Sequence, residues 1–89
     1  MIDALKLLKA DLGILHDKLD QDVLVPRIKS AKEDIEREGI KIDMDNISHV
    51  IIVTDYASWL YRKRTQDVSF PRSLRFRMNN LLYSQKGGT

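Results

Sequence analysis

The sequence has no cysteine, no long apolar run and little excess charge of either sign. The lack of cysteine excludes a disulfide framework and thiolate-ligated metal sites. No apolar stretch approaches the roughly 18–20 residues that a membrane span needs. Residues 1–6 are amphipathic and lack the basic-then-apolar layout of a signal peptide. We therefore expect a protein that is made in the cytoplasm and has no membrane partner.

The charge balance argues against tight binding to nucleic acid. Fifteen Lys and Arg residues face thirteen Asp and Glu residues, for a net charge of +2. A protein that grips duplex DNA usually has a clearer basic excess on one face. At 89 residues the chain has room for one domain, and a domain of this size has a thin stability margin. A symmetric partner or a neighbouring protein would supply additional buried surface.

Apolar residues recur at helical spacing in four segments. We expect Asp3 to cap the first helix and Gly13 to end it. The second helix is expected to begin at the Asp22 cap and to end at residue 38. Pro26 then lies at the fourth helical position and loosens the first turn, because it has no N–H to donate. The alternative start at Pro26 avoids that loss but leaves the acidic cap unused.

The third segment, about residues 46–63, carries apolar residues over more than half of its circumference, so it should be the central helix. Its expected cap is Asp45 or Asn46. Ile51 is expected on its apolar side and Ser58 on its narrower polar stripe. The last helix is expected to open at Pro71 and to end at residue 83 or 84. The predicted fold is all-α: a compact bundle of about four helices over residues 1–85, with a flexible tail at 86–89.

Motifs that carry chemistry are missing from the sequence. His16 and His49 lie in different segments, whereas a metal site needs three or four convergent donors. No serine lies in a Gly-x-Ser-x-Gly elbow, and the C-terminal glycines are not a phosphate-binding loop. We therefore predict no catalytic residue, no metal and no cofactor, and we expect that the protein is not an enzyme.

Basic residues cluster in the last third of the chain with aromatic residues between them. The cluster is consistent with a solvated helix face, with a protein interface or with nucleic-acid contact. The candidate interface residues are Trp59, Tyr61, Arg62, Arg64, Phe70, Arg72, Arg75, Phe76 and Arg77.

The order of several blocks suggests a family. LLKADLGI at residues 7–14 is followed by an acidic stretch at 17–22 and by REGI at 37–40. The clearest block is YASWLYRKR at residues 56–64, and FPRSLR at 70–75 and NN at 79–80 follow it. With its blocks in this order, the chain resembles the small head–tail connector (adaptor or head-completion) proteins of long-tailed phages and Gram-positive prophages. Where that family has methionine before the proline, this chain has the apolar Phe70.

The resemblance implies a structural protein that docks on the portal ring, extends the DNA channel and meets a tail-side connector or stopper protein. It implies self-association into a ring that follows the twelve-fold symmetry of the portal. DNA would pass through without tight binding, which suits a chain with little net charge. The protein would occupy the bacterial host cytoplasm during assembly and the virion neck afterwards.

Two rival functions stay open. A small helical DNA-binding protein would use the last helix, with Arg75, Arg77, Asn79 and Asn80, for recognition. A small enzyme would need a deep pocket on which polar groups converge.

Overall fold

Four α-helices form most of the chain in the computed structural model, which describes residues 3–87. They are α1 (Ala4–Leu12), α2 (Val25–Arg37), α3 (Ile47–Lys63) and α4 (Arg72–Gln85). A π-helical turn, Asp20–Leu24, leads directly into α2. No β-strand occurs between residues 3 and 87, which confirms the all-α prediction. The end of the predicted tail, residues 88 and 89, lies outside the described residues.

Both predicted ends of α1 are confirmed. The Asp3 carboxylate accepts a hydrogen bond from the Lys6 N–H at 3.1 Å. Gly13 has a φ of 73°, and its N–H bonds to the carbonyl of Ala10. This left-handed conformation has little steric cost for glycine, so the residue ends the helix where other residues would be strained.

The prediction that Asp22 caps the second helix is wrong. Helical backbone begins at Asp20, and Asp22 lies inside the π-helical turn. The N–H of Leu24 bonds to the carbonyl of Leu19 at 2.9 Å, a step of five residues. The turn continues without a break into Val25, whose N–H also bonds five residues back, to the carbonyl of Asp20. Pro26 follows in the first turn of α2 and donates no bond there, because proline has no N–H.

Helix α3 is central, as predicted, because it packs against α1, α2 and α4. Asn46 is its cap, with the side-chain oxygen accepting from the N–H of Ser48 at 2.9 Å. Two side chains of α3 were assigned to the wrong side of the helix. Ser58, expected on the polar stripe, is buried, and Ile51, expected on the apolar side, is exposed. Neighbouring helices cover more of α3 than its apolar pattern indicates, and they cover some turns more than others.

The core joins all four helices and the extended segment between α2 and α3. Its buried apolar residues are Leu8, Leu24, Ala31, Ile35, Ile40, Val50, Ile52, Val53, Tyr56, Ala57, Leu74 and Met78. The molecule measures 43 × 33 × 18 Å. Its thinnest dimension is about two helix diameters, so the outer helices keep a face toward solvent. Among the helices described, none is long and apolar enough to cross a membrane.

Candidate interaction surface

An aromatic cluster fixes the position at which α4 begins. The rings of Trp59 and Phe70 lie 4.8 Å apart and those of Tyr56 and Phe70 5.4 Å apart, both edge to face. The Trp59 indole N–H donates to the carbonyl of Val68 at 3.0 Å. Edge-to-face pairs add stability beyond the area that they bury. Trp59 and Phe70, two of the predicted interface residues, therefore lie at the core edge and hold the α3–α4 loop against α3.

Three of the predicted interface arginines form ion pairs with carboxylates in other segments of the chain. Arg75 makes two hydrogen bonds to the Glu38 carboxylate, at 2.7 and 3.3 Å, and these bonds raise the pKa of its guanidinium. Arg77 pairs with Asp55 at 2.5 Å, and Arg62 lies 3.7 Å from Asp11. A carboxylate of the same chain thus compensates each of these positive charges.

Two more candidates form a pair at the C-terminal end of α3. The Arg64 guanidinium lies 4.2 Å from the centre of the Tyr61 ring, within the range of a cation–π interaction. Arg64 is exposed and Tyr61 is half-buried. This pair remains available at the surface.

The remaining candidates, Arg72 and Phe76, lie on what we call the outer face of α4. This face consists of Arg72, Phe76, Asn79 and Tyr83, spaced at i, i+4, i+7 and i+11. Phe76 is 66% exposed and Tyr83 is 75% exposed. Arg72 makes no ion pair within residues 3–87. α4 contains no acidic residue, so the outer face is aromatic and positively charged.

Sequence reasoning missed Asn79 and Tyr83 as members of this face. The sequence did contain a signal for this face: its four residues recur at helical spacing, on the side of α4 opposite the core residues Leu74 and Met78. The pattern alone does not indicate which of the two stripes is buried.

A polar cleft of about 210 Å³ lies between α1, α3 and α4. The ion pairs Asp11–Arg62 and Asp55–Arg77 line it. The buried Ser58 hydroxyl beside it has no hydrogen-bond partner within the described part of the chain. The charged groups of the cleft neutralise one another in pairs.

Both histidines accept hydrogen bonds from nearby backbone N–H groups. The Nδ1 atom of His49 accepts the N–H of Asp43 at 2.9 Å, and that of His16 accepts the N–H of Lys18 at 3.3 Å. The described residues contain no group of three or more His, Cys, Asp or Glu side chains placed to hold a metal ion.

Alkaline pH should reduce stability through Tyr56. Burial raises the pKa of Tyr56 above its ordinary value of 10.0, and the neighbouring Asp34, which accepts its hydroxyl at 3.3 Å, adds to the rise. The folded state therefore keeps a proton that the unfolded state loses, so this contribution is complete below pH 10.0 and is lost as the pH rises further. The free energy of unfolding of wild type minus that of Tyr56→Phe should fall above about pH 10 in urea titrations. A constant difference would contradict the assignment.

No protein-family model, curated protein or solved structure matches this chain. The class that the structure establishes is a small all-α domain with an exposed aromatic and basic helix face.

Proposed function

We propose that this chain is a structural head–tail connector of a tailed bacteriophage. It docks on the portal ring, extends the DNA channel and offers a surface to a tail-side connector or stopper protein. Copies associate into a ring on the portal, and the protein acts by non-covalent docking without a chemical step. It is present in the host cytoplasm during assembly and at the virion neck afterwards.

The observation that supports this proposal is that two blocks of the resemblance, residues 56–64 and 70–75, pack against one another. Tyr56 and Trp59 come from the block at residues 56–64, and Phe70 and Arg75 come from the block at 70–75. The rings of the first three pack edge to face, and the Arg75 guanidinium lies 4.9 Å from the centre of Phe70. The blocks thus form one unit that holds α4 with its outer face toward solvent.

The charge distribution also suits a DNA channel. Arg62, Arg75 and Arg77 each lie beside a carboxylate. Weak phosphate attraction is required where DNA must slide, since many copies in a ring would multiply each contact.

Mixing the purified chain with the portal protein encoded in the same genome tests the proposal. We expect added ring density on the portal in electron microscopy and co-sedimentation of the two proteins. The double variant Arg72→Ala/Phe76→Ala should bind at least about ten-fold more weakly, since truncation of an aromatic or Arg hot spot typically costs that much or more. Circular dichroism should show that the variant remains folded.

Lys29→Ala is the matched control, because Lys29 is exposed on α2 and does not belong to the outer face of α4. It should bind as the wild type does. Truncating Arg72, Arg75 and Arg77 together is also expected to weaken assembly, but that variant breaks the Glu38 and Asp55 ion pairs as well. Failure of the wild-type chain to bind the portal would contradict the proposal.

A DNA-binding protein is the second candidate, favoured by the exposed Asn79 and Asn80 on α4. A helix-turn-helix joins its helices by a turn of about three or four residues, whereas residues 64–71 separate α3 from α4. Glu38 and Asp55 also engage two arginines of the candidate recognition helix. A salt-sensitive shift of duplex DNA in a gel would favour this candidate, and no shift at low salt would exclude it.

A further inference from the structure

A small pocket, which we call the basic pocket, lies where the start of α2 meets the end of α3. It encloses about 270 Å³. Two residues at the start of α2 and three at the end of α3 line it: Arg27, Ser30, Leu60, Lys63 and Arg64. None of these lining residues is acidic. The basic pocket therefore combines three cationic side chains with one hydroxyl and one apolar wall.

The arginines of the basic pocket lack the intramolecular partners that most other arginines of the chain have. Four of the seven arginines form ion pairs with carboxylates of the same chain: Arg37, Arg62, Arg75 and Arg77. Within residues 3–87, neither Arg27 nor Arg64 makes an ion pair, and Lys63 makes none either. Arg27 is half-buried, so its charge is partly removed from water without a carboxylate beside it. An anion in the pocket would compensate that charge.

Aromatic rings hold two of the three cations in place. The Lys63 ammonium lies 4.4 Å from the centre of the Trp59 ring, and the Arg64 guanidinium lies 4.2 Å from the centre of the Tyr61 ring. Both distances are within the range of a cation–π interaction. These contacts restrict two long side chains before a ligand arrives, so less conformational entropy is lost on binding.

We infer that the basic pocket binds a phosphate group. A guanidinium donates in forked pairs that match phosphate oxygens, while an ammonium and a hydroxyl add single donors. A phosphate monoester has three terminal oxygens and close to two negative charges. It therefore matches three cations better than a carboxylate does, with two oxygens and one charge. A nucleotide and the DNA backbone both offer this chemistry.

The affinity for one phosphate group should be weak, because Ser30, Lys63 and Arg64 are exposed and salt screens exposed charges. We expect a dissociation constant of roughly 1–10 mM at low ionic strength. A contact of that strength is released quickly, so it is compatible with DNA that slides past. None of the lining residues belongs to the outer face of α4. The inference thus goes beyond the proposed function and does not depend on it.

Titrating the isotope-labelled chain with sodium phosphate tests the inference by NMR. The titration is run at constant ionic strength and at a pH where phosphate is mostly doubly charged. The backbone amide signals of Ser30, Lys63 and Arg64 should shift saturably, with one common dissociation constant. Sodium acetate should bind at least about three-fold more weakly, because it carries a smaller charge. Equal affinities for acetate and phosphate would overturn the assignment to phosphate.

The variant Arg27→Gln/Arg64→Gln removes two cations of the pocket and should bind phosphate at least about ten-fold more weakly. Its matched control is Lys18→Gln/Lys41→Gln, which has the same net charge. Lys18 and Lys41 are exposed, do not line the pocket and form no ion pair within the described part of the chain. The control should bind as the wild type does. Equal losses in the two variants would show attraction to the overall charge alone and would overturn the site.

The single variant Arg64→Gln covers the case in which the double variant does not fold, because Arg64 is exposed. It should bind phosphate at least about three-fold more weakly than the wild type, through the loss of one charged donor. An unchanged affinity of this variant would contradict the inference.

Two larger ligands identify the source of the phosphate group. Adenosine monophosphate carries a phosphate monoester, and a short DNA duplex without terminal phosphates carries only phosphodiesters. Saturable shifts of the pocket amides with adenosine monophosphate support a nucleotide as the ligand, and shifts of the same amides with the duplex support the DNA backbone. If inorganic phosphate, adenosine monophosphate and the duplex all leave these signals unchanged, the basic pocket is not a phosphate site.

Discussion

Replacing Leu74 with Ala should lower the free energy of unfolding by about 2–5 kcal/mol, since it removes buried methyl groups and leaves a cavity. Leu74 is 1% exposed and Met78 is fully buried, and these two side chains are the buried residues of α4. A loss of that size is a large part of the stability of a small domain, which is typically about 5–15 kcal/mol. The melting temperature should fall by at least about 8 °C.

Phe76→Ala is the control for this experiment, because it removes a large apolar side chain from the opposite face of the same helix. Phe76 is 66% exposed, so its truncation should change the free energy of unfolding by no more than about 0.5 kcal/mol. Urea unfolding followed by circular dichroism measures both variants. Equal losses in the two variants would mean that α4 does not pack through Leu74.

Replacing Trp59 with Ala should cost about 3 kcal/mol, the lower end of the range for aromatic truncation, because Trp59 is half-buried. The change removes the ring that contacts Tyr56 and Phe70 and the hydrogen bond to Val68. Trp59→Phe keeps one aromatic ring and removes the N–H donor together with the second ring of the indole. Its cost should be smaller than that of Trp59→Ala and at least about 1 kcal/mol, the usual net contribution of one hydrogen bond.

The difference between the two Trp59 variants measures the packing of the aromatic cluster. Circular dichroism is the suitable signal, because Trp59 is the only tryptophan and both changes remove its fluorescence. Under the proposed function, Trp59→Ala should also weaken binding to the portal protein, since the aromatic cluster sets the position of α4. A Trp59→Phe variant as unstable as Trp59→Ala would show that the ring contacts kept by phenylalanine do not hold the loop.

Features governed by neighbours in the chain were predictable from sequence. Asp3 caps α1 and Gly13 ends it, as expected, because a helix cap and a left-handed turn depend on a few consecutive residues. The central position of α3 was predictable because a helix with apolar residues around most of its circumference must be covered on several sides. The Asp22 cap failed because the π-helical turn satisfies the backbone there without a side-chain cap.

The candidate interaction surface was predictable only as a group of residue types. Arg72, Arg75 and Arg77 look equivalent in the sequence, yet Glu38 and Asp55 engage two of them. These partners lie 37 and 22 residues away in the chain. No local pattern reports a pairing at such separations, because it depends on how α4 docks against α2 and α3.

By itself, the sequence determined the helical segments, the central helix and the concentration of basic and aromatic residues near the C-terminus. These follow from side-chain spacing, from caps and from composition. Only the tertiary structure decided that Trp59 and Phe70 lie at the core edge while Phe76 and Leu15 are exposed. Aromatic and apolar side chains favour burial wherever a neighbour is available, and the packing of the helices determines which of them have one.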